Sequence, residues 1–296
     1  VYHSSDPRST LTASAASPAA AYGRPELVLL HEIEPSVSTE RGSHAWYVRT
    51  SHLLVGYYEL VAGDGLDLMR ALGDRTIVVP HDGESVAFSL REGDATVDDA
   101  ELLVFAGPGA VRAATDATII EIAAYVDIAE APAPVNEADF AHPVPGVRPN
   151  VERRVARLNK GVHRYPLGGF PTSDARFGRI FVSSNVMVNV LETEDGPRDP
   201  RRLSPHAHDD FEQCSITTRG RYVNHWRTPW TPDLASWEND WHPRYDSPSV
   251  AVIPPGVIHT ANSVSAGPNQ MIDAFAPLRD DFIAKGWVLN AGDADL

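Results

Sequence analysis

The feature that most constrains this chain is a succession of short β-type runs, each closed by Gly, Pro or Asp. In the first half they are Ser51–Val61, Arg75–Val79, Ser85–Leu90, Glu101–Phe105 and Thr118–Val126. In the second half they are Arg179–Val190, Cys214–Thr218, Arg221–Trp226, Val250–Ile253 and Gln270–Phe275. Few stretches carry a helical period. Many short strands with regular turn signals predict an all-β barrel or sandwich architecture with few, short helices. Between the two sets, Ala131–Asn136 and His142–Gly146 are rich in proline and read as an inter-domain connection.

The chain has 296 residues, room for one large or two ordinary domains, and 43% of them are apolar, enough for a real core. The net charge of −15 argues against nucleic acid as a partner. No apolar run is long enough to cross a membrane, and no basic-then-apolar leader is visible, so a cytoplasmic protein is expected. The single cysteine, Cys214, forbids an intrachain disulfide and reads as a buried apolar filler. Residues 10–21 are mostly Ala, Ser and Thr. So bland a segment gains order only by lying on another surface, which predicts a homodimer or larger homo-oligomer with this tail on a neighbouring subunit.

The chemistry concentrates in two short segments. Residues 204–220 contain His206-Ala-His208, then Glu212 and Gln213, then Gly220. Residues 252–262 contain Pro254-Pro255-Gly256-Val257-Ile258-His259. Alternate side chains of an extended strand share a face, so His206 and His208 point the same way. A third imidazole from a neighbouring strand would complete a partial coordination shell with open positions. Nucleophile-elbow, phosphate-loop, Cys-x-x-Cys and His-Glu-x-x-His signatures are absent from the sequence.

These segments resemble the two motifs of the cupin superfamily: His-x-His, a Glu or Gln after three or four residues, a Gly six residues later, and a distant Pro-x-Gly-x-x-His. The resemblance implies two tandem double-stranded β-helix (jelly-roll) barrels. The boundaries expected are a tail over 1–26, a first barrel over 27–128, a linker over 129–165 and a metal-binding second barrel over 166–296. Aligning Gly93 with Gly220 sets His81 against His208, Val79 against His206 and Val86 against Gln213, while Arg112 stands opposite His259. A lone His with an Arg would hold a metal poorly, so the first barrel is expected to be metal-free.

The fourth ligand has two candidates. Gln213 leaves the six-residue gap to Gly220, and that spacing sets which face of the strand the ligand occupies. Glu212 is the stronger donor for a divalent ion, and if it is not a ligand it is a candidate catalytic acid or base. The expected metal set is thus His206, His208, Gln213 and His259, with one divalent ion per chain. The resemblance implies a metal-dependent enzyme acting on a small organic molecule, with anions favoured. An Fe(II) dioxygenase leads, since three imidazoles with open positions suit oxygen binding. A non-redox isomerase, lyase, hydrolase or cyclase on Zn, Mn or Ni follows, and a non-catalytic binding protein is the remaining class. Four of the six Trp lie in 226–241, where they could line a substrate pocket or simply pack an insertion.

Overall fold

The computed structural model describes residues 6–10, 21–149, 158, 160–209 and 211–296. Among these the structure is almost entirely β, with one α-helix, Asp280–Ala284, and a few 3-10 turns. No described helix is long and apolar enough to cross a membrane.

Each half forms a large sheet and a smaller one. In the second half the large sheet runs, in spatial order, Glu26–Leu29, Ser249–Ile253, Glu212–Arg219, Pro268–Ala276, Met187–Val190, Arg179–Val182. The first half repeats the order with Val162–Pro166, Glu101–Ala106, Asp74–Val79, Ala117–Ala124, Leu53–Leu60, His44–Arg49. The outermost strand of each sheet is lent by the other half. Glu26–Leu29 pairs with Ser249–Ile253, and Val162–Pro166 pairs with Glu101–Ala106. The smaller sheets are built on Val86–Leu90 and Gly109–Ala113 in the first half, and on Arg221–Arg227 and Ile258–Ser263 in the second.

Strand alternation sorts the side chains into three compartments. The outward faces of both large sheets pack on each other, with Val78, Val104 and Ile122 from one sheet meeting Cys214, Ile216, Val252 and Ile272 from the other in a single apolar cluster. Burying each such side chain is worth about 1.5–3 kcal/mol, so this face joins the two barrels firmly. Cys214 lies here, fully buried. The first barrel's interior is a second apolar cluster that includes Ile77, Val79, Phe88 and Phe105. The second barrel's interior is different. Along Glu212–Arg219 its inward positions are Gln213, Ser215 and Thr217, all buried and all polar. Buried polar groups need partners, and those partners define the candidate site.

The sheet order corrects the alignment of the two halves. The counterpart of Glu212–Arg219 is Asp74–Val79, not the strand beginning at Val86. Ser215 pairs across the strands with Asp273, and Ile77 pairs with Glu121. Two residues earlier on the same face, Arg75 therefore stands where Gln213 stands in the second barrel. His81 follows the strand rather than lining the first barrel. Gln270 of the second half donates to the adjacent Pro80 carbonyl, and burial together with the nearby Arg219 charge lowers the His81 pKa to about 4.

Of the N-terminal tail, residues 6–8 lie on the second barrel of their own chain. Arg8 stacks 3.5 Å from the Phe177 ring centroid and pairs with Asp6 at 2.8 Å. Tyr22 packs against Gly256, whose φ of +81° and close contact with that ring leave no room for a Cβ. The remaining tail, 1–5 and 11–20, on which the expectation of an intersubunit contact mainly rests, lies outside the described residues.

Candidate metal centre

His206 and His208 come from the extended segment leading into Glu212–Arg219. His259 lies on Ile258–Ser263. The segments are held in register by a pair of backbone bonds, His206 N–H to the His259 carbonyl at 3.0 Å and His259 N–H to the His206 carbonyl at 2.7 Å. Gly256, in the turn before His259, donates to the His208 carbonyl at 2.5 Å. Three imidazoles thus meet with one ring nitrogen of each within 4.8 Å of the others. Ring centroids are 4.9 Å apart for His206–His208, 4.3 Å for His206–His259 and 5.0 Å for His208–His259.

Backbone carbonyls set two of the tautomers. His206 Nδ1 faces the Ser204 carbonyl at 2.9 Å, and His259 Nδ1 faces the Val257 carbonyl at 2.9 Å. A carbonyl only accepts, so each Nδ1 carries the proton and each Nε2 presents a lone pair. Burial, reinforced by neighbouring positive charge, keeps the rings neutral at pH 7. It lowers the pKa of His206 and His208 well below the usual value, and that of His259 to about 4.

Gln213 is brought to the imidazoles, and its amide is oriented. Its Nε2 donates to Ser215 Oγ at 2.8 Å and to Asp273 Oδ1 at 3.1 Å, and Ser215 Oγ donates to the same carboxylate oxygen at 2.6 Å. A carboxylate accepts only, so the amide oxygen must face the other way. It lies 2.8 Å from His208 Nε2 and 3.3 Å from His259 Nε2. The His259 contact sets two lone-pair-bearing atoms against each other, because the His259 proton is committed to Val257. Converging acceptors of this kind suit a cation. By the chemistry of its donors the cluster fits a divalent metal.

Glu212 is not brought to the cluster. Its side chain leaves the opposite face of the strand and accepts the Ser51 backbone N–H of the first half at 2.6 Å. Burial raises its pKa. The equivalent residue of the first half does the same in reverse, since Asp74 accepts the Ser184 N–H at 3.1 Å and its hydroxyl at 2.8 Å. Both acids bond a turn of the other barrel's large sheet, the one between His44–Arg49 and Leu53–Leu60 or the one between Arg179–Val182 and Met187–Val190. The phase of the strand is set where Gly220, at φ +94°, turns the chain against Asn269. A register shift between Thr217 and Arg219 lies beyond the alternating set 213, 215, 217 and leaves it intact.

Sequence reasoning misses Asp273 and Ser215. The available signal for Asp273 is an acid inside the apolar run Met271-Ile-Asp-Ala-Phe-Ala276. Burial raises its pKa to about 6, so it is mainly ionised at pH 7 and supplies negative charge directly behind Gln213. Of the aromatic insertion, Trp226 is buried and sits opposite His259 in the strand register, while Trp230 and Trp237 stack at 4.4 Å on the exterior. His225 and His242 contact one another at 3.0 Å on an exposed strand surface, apart from the cluster.

No protein-family model and no curated protein matches the chain. Solved structures do. The oxalate decarboxylase of Lactobacillus farciminis, in a formate complex, aligns over 90% of this chain and 88% of its own at 11% identity and a TM-score of 0.55. A tryptophan-to-tyrosine variant of the oxalate decarboxylase of Bacillus subtilis aligns over 99% and 86% at 12% identity and 0.55. A further structure of the Bacillus subtilis enzyme, described by its Mn(II) centres, aligns over 99% and 86% at 11% identity and 0.52.

Proposed function

With two cupin barrels in one chain as the premise, we propose a metal-dependent enzyme acting on a small organic anion at a single divalent ion. The ion is held by His206, His208, Gln213 and His259 in the second barrel. The observation that carries this reading is the arrangement of His259 Nε2 and Gln213 Oε1, two acceptors 3.3 Å apart whose protons are committed elsewhere.

A divalent ion in this place supplies Lewis acidity toward a substrate oxygen and, as manganese or iron, one-electron chemistry as well. The chain supplies the rest. The Ser204 and Val257 carbonyls aim two imidazoles. Asp273 and Ser215 aim the Gln213 oxygen, and the Asp273 carboxylate partly offsets the positive charge that a neutral ligand set would leave. Phe211 and Phe275 wall His208 at 4.4 and 6.0 Å and restrict water. With Glu212 turned to the other barrel, Asp273, bonded to Gln213, is the acid–base group this reading places behind the cluster.

Manganese(II) is the ion we favour, on the Mn(II) centres named for the Bacillus subtilis neighbour, with cleavage of a carboxylate substrate as the reaction class. Dioxygenation at Fe(II), the expectation from the motif, is the second reading and uses the same ligands. Elemental analysis of protein purified without chelators, joined to oxygen-electrode assays on a panel of small carboxylates, tests both. About one manganese per chain and turnover without net oxygen uptake is the expected result. Iron with stoichiometric oxygen uptake selects the second reading. Absence of any metal sinks both, and metal with saturable binding but no turnover would make the chain a binding protein.

A further inference from the structure

A cavity of about 620 Å³ opens into the second barrel. Its inner wall includes Ala261, Ser263 and Met271. These lie at alternate positions from His259 and Asp273 on their respective strands, so the wall continues the face that carries the candidate site. Phe177 and Tyr222 give the cavity apolar surface, and Pro7 of the N-terminal segment forms part of its boundary.

Two arginines line this cavity without a carboxylate partner of the kind several other arginines of the chain have. Arg198 donates from Nη1 to the Ala261 carbonyl at 3.2 Å and from Nη2 to the Arg202 carbonyl at 3.4 Å. Arg176 donates to the carbonyls of Gly178 at 2.8 Å and Pro171 at 2.9 Å. Both are partly buried, and neither forms an ion pair with a described carboxylate. Arg8, Arg49, Arg164 and Arg279 all do. The charges of Glu194 and Asp6 act on Arg198, but among the described residues the hydrogen bonds of both guanidinium groups go to backbone carbonyls, which pre-position them without committing them to a carboxylate. The carboxylates on the same wall, Asp174, Glu192 and Glu194, are exposed, and Glu194 accepts the Ser263 hydroxyl at 2.6 Å.

We propose that this cavity is a binding site for an organic carboxylate, with Arg198 as the residue that takes the carboxylate group. That the ligand is also the substrate rests on the metal-enzyme reading above. Arg198 is tied to the backbone of Ala261, two residues along the strand from His259, a rise of about 7 Å. An acid of short-chain or monocyclic aromatic size, with its carboxylate on Arg198, lays its apolar part on Phe177 and Tyr222 and points along that rise toward the imidazoles, which lie beyond the cavity's own lining.

Calorimetric titration of the whole, chelator-treated chain tests this. The probes are acetate, cinnamate and 3-phenylpropionate, each against its neutral amide. The wild type should bind at least one of the aromatic acids, and its amide at least tenfold more weakly. Arg198→Met should lose at least tenfold in affinity for the acid, with Arg198→Lys intermediate. Thermal unfolding of both variants confirms that they fold, and the lysine variant carries the test if the methionine variant does not. The proposal is overturned if acid and amide bind alike, if Arg198→Met binds like wild type, or if none of the acids binds the wild type. It is also overturned if His206→Ala abolishes acid binding while Arg198→Met does not, since the carboxylate would then sit at the imidazoles. Because the titration uses metal-free protein, a failure of the metal reading leaves this result separately readable.

Discussion

Replacing Gln213 with glutamate separates a merely plausible ligand from one whose orientation is fixed. A carboxylate is the better metal donor, so by ligand chemistry alone Gln213→Glu should be benign or favourable. The structure says otherwise for the metal-free protein. Gln213 Nε2 donates to Asp273 Oδ1 at 3.1 Å, and in the variant an oxygen takes the place of that nitrogen. Two unit charges at such a separation repel by about 5 kcal/mol at an effective dielectric of about 20. Protonating an ordinary glutamate at pH 7 costs only about 3–4 kcal/mol. Proton uptake is therefore the cheaper outcome, and the pair shares one proton. The hydrogen bond through that proton returns about 1.5–3 kcal/mol, so the net loss at pH 7 is about 1–2 kcal/mol.

The sign with pH follows from linkage. The folded variant binds a proton that its unfolded chain does not hold at neutral pH. Its stability relative to wild type should rise on acidification, by up to about 1.4 kcal/mol per pH unit between about pH 8 and 6, below which wild-type Asp273, with its pKa raised to about 6, takes up a proton as well. Urea unfolding of chelated Gln213→Glu and wild type across that range is the assay. Adding Asp273→Asn should abolish the difference in slope, because an amide again faces a carboxylate. Metal should restore much of the lost stability in the single variant, since a divalent ion replaces the proton. Parallel pH profiles for the variant and wild type would refute the orientation of the Gln213 amide and, with it, the assignment of its oxygen to the metal.

Other outcomes follow from the same contacts. His206→Ala or His259→Ala should reduce metal content from about one per chain to near zero by elemental analysis, while His81→Ala leaves it unchanged. Glu212→Ala should leave metal content unchanged but cost about 1.5–3 kcal/mol in urea unfolding, the worth of a hydrogen bond to a charged group, because it strands the Ser51 N–H. Glu26 is held near pKa 7, mainly by burial and secondarily by Asp139 and Glu212, so its cost to stability is absent below about pH 4.5 and complete above about pH 7. Glu26→Gln should therefore gain stability over wild type as pH rises through that window, which melting temperatures at about pH 5 and 8 will check.

Much of this is legible in the sequence where local periodicity decides the outcome. The β-type runs depend on turns and alternation and can be read from short windows, whereas the two-barrel plan comes from the resemblance carried by residues 204–220 and 252–262. The facing of Gln213 follows from counting back from Gly220, because the strand keeps its two-residue period as far as Thr217. What escapes is anything set by pairing between distant segments. A shared glycine offset matches Val86 to Gln213, and only the sheet order reveals Arg75 as the counterpart. Glu212 resembles an acid–base group in sequence because the turn it bonds, at Ser51, is 161 residues away. Asp273 acquires its meaning only from Ser215 across the sheet. The exchange of Glu26–Leu29 and Val162–Pro166 between halves has no local signal at all.

The two barrels solve one electrostatic problem in two ways. Each carries a buried acid on the strand beside its central one, Glu121 in the first and Asp273 in the second, at equivalent places in the pairing. An ionised acid in an interior needs a positive or proton-donating partner. In the first barrel the partners are side chains of the barrel itself. Arg75, fully buried, lies 3.3 Å from Glu121 and also bonds the Met69 and Gly107 carbonyls, while Tyr58 donates to the carboxylate at 2.5 Å. In the second barrel the equivalent of Arg75 is the neutral Gln213. Its amide passes the carboxylate's influence toward the three imidazoles, two of which present a lone pair at Nε2, instead of ending it. A guanidinium fills its place permanently and leaves no open coordination, whereas a cation held by imidazoles and an amide oxygen can be approached by a substrate. Arg75 and Gln213, at equivalent places in the strand pairing, thus set a barrel with its own internal cation apart from one whose interior acid faces an amide and, beyond it, three imidazoles.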